Sequence, residues 1–326
     1  MRTSFYLVVL FSFLLLPGGA FAGKIPVIYD SDIGDDIDDT WAIGFLLRCP
    51  ELDLKLVVGD QGKALYRAKL FAKLLEAAGR TDVPIGIGLD TGDDQTGNQS
   101  KWVEGYDLES YPGKVHKDGV QALIDTIMKS DEQITLICVG PVPNIAEALK
   151  REPRIAQKAR FVGMHGSVYQ GYGGSEEISA EYNVQANPKA CQTVLSAEWD
   201  ITITPVDTCG RVQLKTDKYL KFATSNDPLA TAIMENYRIW IQHAGWMEKE
   251  RDIINRQSSS LYDTVAVYLS FSDDLLVMED LTILVDDKGF TRINSSAKKM
   301  SVAVKWKDMG KFEDLLVSRL TSHVTE

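Results

Sequence analysis

Short apolar segments alternate with segments of helical periodicity along most of this chain, and this alternation constrains the fold more than any other feature. Strands are predicted at 24–29, 54–58, 83–87, 134–139, 159–164 and 201–204. Helices are predicted at 38–48, 66–79, 121–128, 142–150 and 188–197. Such alternation predicts an α/β fold: an open, mostly parallel central sheet of the Rossmann-like kind with helices on both faces.

Three other segments depart from this alternation. Residues 89–116 form a long polar stretch, which is typical of a lid or binding loop. Residues 226–269 are predicted to be mostly helical, and residues 279–294 to form a hairpin that turns at 286–289. Because no repeat or linker divides the chain, residues 23–326 are predicted to form one domain.

The first 22 residues have the pattern of a secretory signal peptide. Arg2 precedes the apolar stretch Phe5–Leu16, and Ala20-Phe21-Ala22 fits a cleavage site. We therefore expect export to the periplasm or the extracellular space, with no membrane association after cleavage. The formal net charge of -11 argues against a nucleic acid as partner.

Four cysteines occur in the chain, and their spacing fits no zinc motif. Cys138 lies inside an apolar segment and is predicted to be a buried thiol. The disulfide state of Cys49, Cys138, Cys191 and Cys209 stays open.

Six aspartates occur between Asp30 and Asp39, directly after the first predicted strand. Carboxylates this close repel one another unless a cation neutralises them, and oxygen ligands suit Ca²⁺ or Mg²⁺. An EF-hand does not fit, because Gly34 and Trp41 occupy its fifth and twelfth positions. A phosphohydrolase of the haloacid dehalogenase type would explain the Asp-x-Asp start but not Asp38-Asp39, and a solvated acidic loop is the remaining alternative.

Other polar residues follow the predicted strands, among them Asp60, Gly140-Pro141 and His165. Because the carboxyl ends of parallel strands meet at one edge, these residues are predicted to line one crevice. Asp263 is interpreted as either a helix cap or a metal ligand.

Two further groups of residues have alternative interpretations. Glu181 and Asn183 belong either to a polar loop or to a hydroxyl-binding pocket. Tyr237, Trp240 and Trp246 are more typical of a core or an oligomer interface than of a platform for a base. His243 is interpreted as structural.

Four motifs resemble those of the inosine-uridine-preferring nucleoside hydrolase family and occur in the same order along the chain. The first is Asp30-x-Asp32-x-Gly34 followed by Asp38-Asp39, with two extra residues between the glycine and the aspartate pair. The others are Val139-Gly140-Pro141-Val142-Pro143-Asn144, Glu181-Tyr182-Asn183 followed by Asn187-Pro188, and Tyr262-Asp263. Together they span nearly all of the chain after residue 22.

The resemblance implies hydrolysis of the N-glycosidic bond of ribonucleosides, or of related N-ribosides, to ribose and free base. The transition state would be oxocarbenium-like, and Asp32 would be the general base for a Ca²⁺-bound water. The implied metal ligands are Asp32, Asp39, Asp263 and the carbonyl of Val139. The implied ribose-binding residues are Asp38, Asp60, Met164, Glu181 and Asn183. Candidates for contact with the base are Tyr262, Tyr237, Trp240, His243 and Trp246, and the family further implies a homodimer or homotetramer.

This chain departs from the family pattern mainly on the base side. Tyr262 replaces the family's histidine, and Asp60 replaces an asparagine. The usual asparagine before the third motif has only Ser175 as a counterpart. We therefore expect metal and ribose binding to be retained and base recognition to differ. A calcium-dependent nucleoside or sugar receptor without turnover is the non-enzyme alternative.

Overall fold

The computed structural model describes residues 23–90 and 96–322, so the predicted signal peptide lies outside the described residues. Ten strands form one sheet. In chain order they are β1 (Ile25–Ser31), β2 (Leu52–Gly59), β3 (Ile85–Gly86), β4 (Val115–His116), β5 (Ile134–Cys138), β6 (Ala159–Met164), β7 (Ile201–Thr204), β8 (Leu276–Val285), β9 (Thr291–Ile293) and β10 (Lys299–Trp306).

The strands lie in the order β4-β3-β2-β1-β5-β6-β7-β10-β8-β9. The pairs from β4 to β7 and the pair of β7 with β10 are parallel, whereas β8 is antiparallel to β10 and β9. This confirms the predicted open, mostly parallel sheet. The six predicted strands begin and end within two residues of those observed.

Eleven α-helices accompany the sheet in the described part of the chain. They are α1 (Asp38–Leu47), α2 (Ala64–Ala77), α3 (Gly119–Lys129), α4 (Pro143–Arg151), α5 (Tyr182–Ala186), α6 (Pro188–Ser196), α7 (Val206–Cys209), α8 (Thr216–Ala223), α9 (Pro228–His243), α10 (Thr264–Leu269) and α11 (Met309–Leu320). Within the same residues, no helix has the length and apolar character needed to cross a membrane.

The core lies on both faces of the sheet. Successive side chains of a strand point to opposite faces, so Tyr29 and Ile28 of β1 belong to two separate apolar clusters. One cluster contains residues of α1, α2, α9, α10 and α11, and the other contains residues of α3, α4 and α6. The prediction of helices on both faces is therefore confirmed.

The carboxyl-terminal part of the chain differs from the prediction. The hairpin is confirmed as β8 and β9, and its turn is closed by Asp286, whose carboxylate accepts hydrogen bonds from the backbone N–H groups of Lys288 and Phe290. β10 and α11 were not predicted. β10 inserts between β7 and β8, which makes this end of the sheet mixed rather than purely parallel.

The segment 89–116 is also more ordered than a plain loop where it is described. It contains β4 and the two 3₁₀ turns Ser100–Trp102 and Leu108–Ser110. Residues 91–95 of this segment lie outside the described part. All four cysteines are buried and unpaired, which confirms the prediction for Cys138.

The chain order of the strands reverses at β1. Strands β2 to β4 extend from one side of β1, and strands β5 to β7 from the other. In open α/β sheets this switch point leaves a crevice at the carboxyl ends of the strands, where ligands bind.

Candidate active site

A cavity of about 470 Å³ lies at the carboxyl ends of β1, β5 and β6. Its size suits a small organic ligand. Its lining residues are Asp32, Asp35, Asp36, Asp38, Asp39, Lys63, Asn98, Val139, Met164, Tyr172, Glu181, Tyr182, Asn183, Trp246, Tyr262 and Asp263. The predicted convergence of sequence-distant residues on one crevice is therefore observed for most of the predicted site residues.

Three buried carboxylates form a group on the wall of this cavity. Asp38 and Asp39 belong to the first turn of α1, and Asp263 directly precedes α10. One oxygen from each lies within 4.8 Å of the others. Asp263 makes no side-chain capping hydrogen bond to α10, so its carboxylate is not used as a helix cap. The family resemblance implied Asp32, Asp39 and Asp263 as the carboxylate ligands of the metal. In the structure Asp38 takes the third place in the group, and Asp32 lines the same cavity outside it.

The loop between β1 and α1 is held from two sides. The Ser31 hydroxyl donates a 2.6 Å hydrogen bond to Oδ1 of Asp39. Gly34 has φ +112°, and a Cβ there would lie 2.5 Å from the ring of Tyr66, so the motif glycine is required by both conformation and space. The hydroxyl of Tyr66 donates to the carbonyl of Gly34 at 3.0 Å.

Glu181 and Asn183 organise another part of the cavity wall. The Glu181 carboxylate accepts hydrogen bonds from the backbone N–H groups of Asn183 at 2.7 Å and Gly166 at 2.9 Å. Asn183 Nδ2 in turn donates to the carbonyls of Val139 and Met164, both at 3.0 Å. These contacts connect the ends of β5 and β6 to the start of α5.

Burial dominates the electrostatics of the acidic residues. It raises the pKa of Asp32 to about 8 and that of Glu181 to about 7, because removal from water disfavours the charged form. The pKa values of Asp38, Asp39 and Asp263 are raised well above the usual range, first by burial and then by repulsion from the neighbouring aspartates of the cavity, Asp32 among them. Neutralisation by a cation would lower all three.

The donor set of this group fits a hard divalent cation. Its ligand atoms are all carboxylate oxygens, which Ca²⁺ and Mg²⁺ prefer. No lysine or arginine forms a salt bridge with Asp38, Asp39 or Asp263 within the described residues. Three buried and mutually repelling carboxylates without such a partner are the arrangement expected of a metal site.

Asp60 does not reach the cavity, which corrects its predicted contact with ribose. Its Oδ2 accepts a 2.7 Å hydrogen bond from the N–H of Val142, a residue held at φ +58° at the start of α4. Asp60 therefore stabilises the turn between β5 and α4. His165 is likewise fully buried, and its Nε2 lies 3.0 Å from the carbonyl of Gly140.

Three of the five candidates for base contact are also placed elsewhere. Tyr237 is buried in the core, where its hydroxyl donates to the carbonyl of Gln257. Trp240 is buried behind the cavity and donates from Nε1 to the carbonyl of Asp35 at 3.1 Å. His243 is exposed at the end of α9 and bonds its own helix at Ile239. Helical spacing alone could not separate the core positions of Tyr237 and Trp240, or the exposed position of His243, from cavity positions.

The remaining two candidates, Tyr262 and Trp246, do line the cavity. Tyr262 packs edge-to-face with Tyr172 at a ring distance of 6.1 Å. Trp246 is 61% exposed and packs edge-to-face on Trp240 at 6.0 Å. Both candidates are thus available to contact a planar group.

Sequence reasoning missed several lining residues. Asp35 and Asp36 were seen only as part of the acidic cluster, and Tyr182 only as part of a motif. Tyr172 belongs to a glycine-rich run that gave no functional signal. Asn98 was indicated only as part of the predicted lid or binding loop 89–116, and Lys63 had no signal, because it lies outside every recognised motif.

The chain belongs to the inosine-uridine preferring nucleoside hydrolase family, whose model matches residues 27–314. It is accordingly an enzyme, an N-glycosyl hydrolase that acts on ribonucleosides. This membership replaces the phosphohydrolase and receptor alternatives. The acidic group at the switch point is the part of the fold that can hold the metal ion.

Relatives agree with this assignment, and a solved structure shares the fold. The chain is 30% identical over 66% of its length to the non-specific ribonucleoside hydrolase RihC of Klebsiella pneumoniae, covering 73% of that protein. It is 29% identical over 65% of its length to the pyrimidine-specific ribonucleoside hydrolase RihA of Enterobacter sp., covering 69% of it. A plant nucleoside hydrolase, the PpNRh1 enzyme, shares the fold with a TM-score of 0.78 at 20% identity, over 92% of this chain and all of that one.

Proposed function

We propose that this enzyme hydrolyses ribonucleosides with Ca²⁺ as its metal and Asp32 as its general base. The observation that carries the proposal is the group formed by Asp38, Asp39 and Asp263 on the same cavity as Asp32. Asp39 and Asp263 would hold the ion, with Asp38 completing the group. Asp32 and the carbonyl of Val139 are the further ligands that the family resemblance implies.

The chain's own residues would divide the reaction between them. When bound, Ca²⁺ supplies positive charge that orients the ribose hydroxyls and the attacking water. Asp32 removes a proton from that water, and the positive charge of the bound ion keeps its buried carboxylate in the ionised form that this role needs. Positive charge that develops on the ribose ring is stabilised by the surrounding carboxylates.

Binding of the ribose falls to the side of the cavity that Glu181 and Asn183 organise. Glu181 is oriented by backbone N–H groups, so its carboxylate has one fixed direction in the site. Each carboxylate oxygen can accept further hydrogen bonds from a sugar hydroxyl. Met164 would pack against the sugar, and Tyr262 and Trp246 would contact the base.

The test is ribose release by the Asp32→Asn variant, which keeps the shape of the side chain and removes its basicity. We expect kcat to fall roughly 10²- to 10⁴-fold. Asp274→Asn, a change at an exposed aspartate outside the cavity, is the matched control and should keep full activity. Full activity of Asp32→Asn would contradict the assigned role.

We also propose that the enzyme is exported and acts as a homodimer or homotetramer. The pattern of residues 1–22 supports export, and the family resemblance supports assembly. Amino-terminal sequencing of the secreted protein should begin at Gly23. Light scattering should give a mass of two or four chains, and a monomer at working concentration would contradict the assembly.

A further inference from the structure

The cavity has a second wall that the metal and ribose residues do not use. It is built around Asp35, one of the residues that lengthen the acidic loop. The carbonyl of Asp35 accepts a 2.7 Å hydrogen bond from Asn98 Nδ2 and a 3.1 Å hydrogen bond from Trp240 Nε1. The ring of Trp246 packs edge-to-face on the ring of Trp240. Asp35, Asn98 and Trp246 are therefore connected parts of one surface, which we call the Asp35 wall.

Lys63 completes the Asp35 wall. Its Nζ lies 2.8 Å from Oδ1 of Asp35, and it lines the cavity with about a quarter of its side chain exposed. Among the described lining residues it is the only one with a cationic side chain. Every other charged residue of that lining is an aspartate or glutamate.

The backbone that presents Lys63 is in an unfavourable conformation. Gln61, Gly62 and Lys63 all have positive φ, at 52°, 66° and 49°. Two of the three are not glycine, and such left-handed residues persist only where their surroundings hold them. This conformation ends β2 and starts α2 so that the Lys63 side chain points into the cavity.

Asp35 does not need Lys63 for neutralisation. Its other oxygen, Oδ2, lies 2.8 Å from Nη2 of the buried Arg67. An ammonium group has three N–H bonds, and the contact with Asp35 uses one of them. Lys63 therefore has donor capacity left for a ligand in the cavity.

Building on the proposed function, we propose that Lys63 is a catalytic residue that donates a hydrogen bond to a carbonyl oxygen of the leaving base. Such an oxygen is present in uracil, cytosine, hypoxanthine and guanine and absent from adenine. The flat, exposed ring of Trp246 on the same wall suits the planar base, while the acidic group holds the ribose.

The chemistry explains why a cation is useful there. When the bond between C1′ and the base nitrogen breaks, its electron pair stays on the base, and the negative charge spreads to the carbonyl oxygen. The ammonium group of Lys63 stabilises this charge. The hydroxyl of water bonds to C1′, its proton passes through Asp32 to solvent, and the base then takes one proton from solvent.

The experiment compares Lys63→Met with wild type on four substrates: uridine, inosine, adenosine and 4-nitrophenyl riboside. The nitrophenolate group leaves without help and has no carbonyl oxygen. We expect kcat/KM of Lys63→Met to fall roughly 10- to 100-fold for uridine and inosine and to change little for the other two. Lys63→Arg should restore part of the lost activity, and Lys69→Met, in the helix α2 that follows Lys63 but outside the cavity, should match wild type.

Three results would overturn the inference. An equal loss on all four substrates would mean that Lys63 only supports the acidic loop, and no loss on uridine and inosine would mean that it does not touch the base. If wild type releases ribose from none of the three nucleosides but cleaves 4-nitrophenyl riboside, the proposed function itself fails together with the role of Lys63. Thermal unfolding of each variant separates these outcomes from misfolding.

Discussion

The guanidinium Nη2 of Arg67 lies 2.8 Å from Oδ2 of Asp35, and the Arg67 side chain is fully buried. The same guanidinium donates to the backbone carbonyls of Asp32 and Ile33. One side chain of α2 therefore fixes the loop that follows β1. Asp35, which lies in the part of this loop that is two residues longer than the family pattern, is therefore an anchored part of the active site rather than a loose insertion.

Arg67→Met should destabilise the protein and displace Asp32. Removing the guanidinium leaves the buried carbonyl groups of Asp32 and Ile33 without their donor and takes one of two cationic partners from Asp35, which costs about 3 kcal/mol. The free energy of unfolding, measured by denaturant titration, checks this value. Lys69→Met is the control, and a loss below about 0.5 kcal/mol for Arg67→Met would contradict the anchoring role.

Ser31→Ala should weaken metal binding without touching the ion. The Ser31 hydroxyl orients Asp39 through a 2.6 Å hydrogen bond, and loss of such a supporting contact typically lowers metal affinity roughly 10- to 100-fold. Calorimetric titration with Ca²⁺ measures the effect. Asp263→Asn should lose more affinity than Ser31→Ala; the reverse order would remove Asp263 from the ligand set.

Trp246→Ala should weaken substrate binding, whereas Trp240→Ala should lower the stability of the protein. Trp246 is exposed on the cavity, so its loss should raise KM for nucleosides about tenfold through lost stacking, with little change in Tm. Trp240 is buried, so its loss should cost about 3–5 kcal/mol of stability. Parallel kinetics and thermal melts test both. A stable Trp240→Ala protein would contradict its place in the core.

The metal-free protein should lose stability as the pH rises. Burial raises the folded-state pKa of Asp60 to about 6, of Glu181 to about 7 and of Asp32 to about 8. The folded state therefore binds more protons than the unfolded state between about pH 4 and pH 8, and the free energy of unfolding falls across that range.

Added Ca²⁺ should oppose this loss of stability at high pH. Protons compete with the ion for the same carboxylates, so added Ca²⁺ should raise Tm more at pH 8 than at pH 5.5. Melting curves in chelator and in Ca²⁺ at both pH values give the comparison. A larger shift at pH 5.5 would contradict a carboxylate site.

Much of the fold was predictable because its strands are buried on both sides and read as apolar runs. β6 and β7 agree with the prediction at both ends. β10 was not predicted because lysines and a serine interrupt its apolar residues, as in a strand with one solvent-exposed face. Its place between β7 and β8 is a long-range pairing that no local pattern encodes.

The site residues likewise include some that could be predicted from the sequence and some that could not. Asp38, Asp39 and Asp263 could be predicted as site residues because they belong to motifs at the ends of regular elements. Asp60 was misplaced because the sequence does not tell whether a residue after a strand points into the crevice or supports a turn below it. Lys63 was missed because its direction depends on three consecutive positive φ values.

Metal-assisted hydrolysis is tested most directly by ribose release from uridine and inosine by the wild-type enzyme, with Ca²⁺ and with a chelator. We expect release with Ca²⁺, its loss in chelator and its recovery when Ca²⁺ is restored. Release that continues undiminished in chelator, or no release while Ca²⁺ is bound, would contradict metal-assisted hydrolysis at the group formed by Asp38, Asp39 and Asp263.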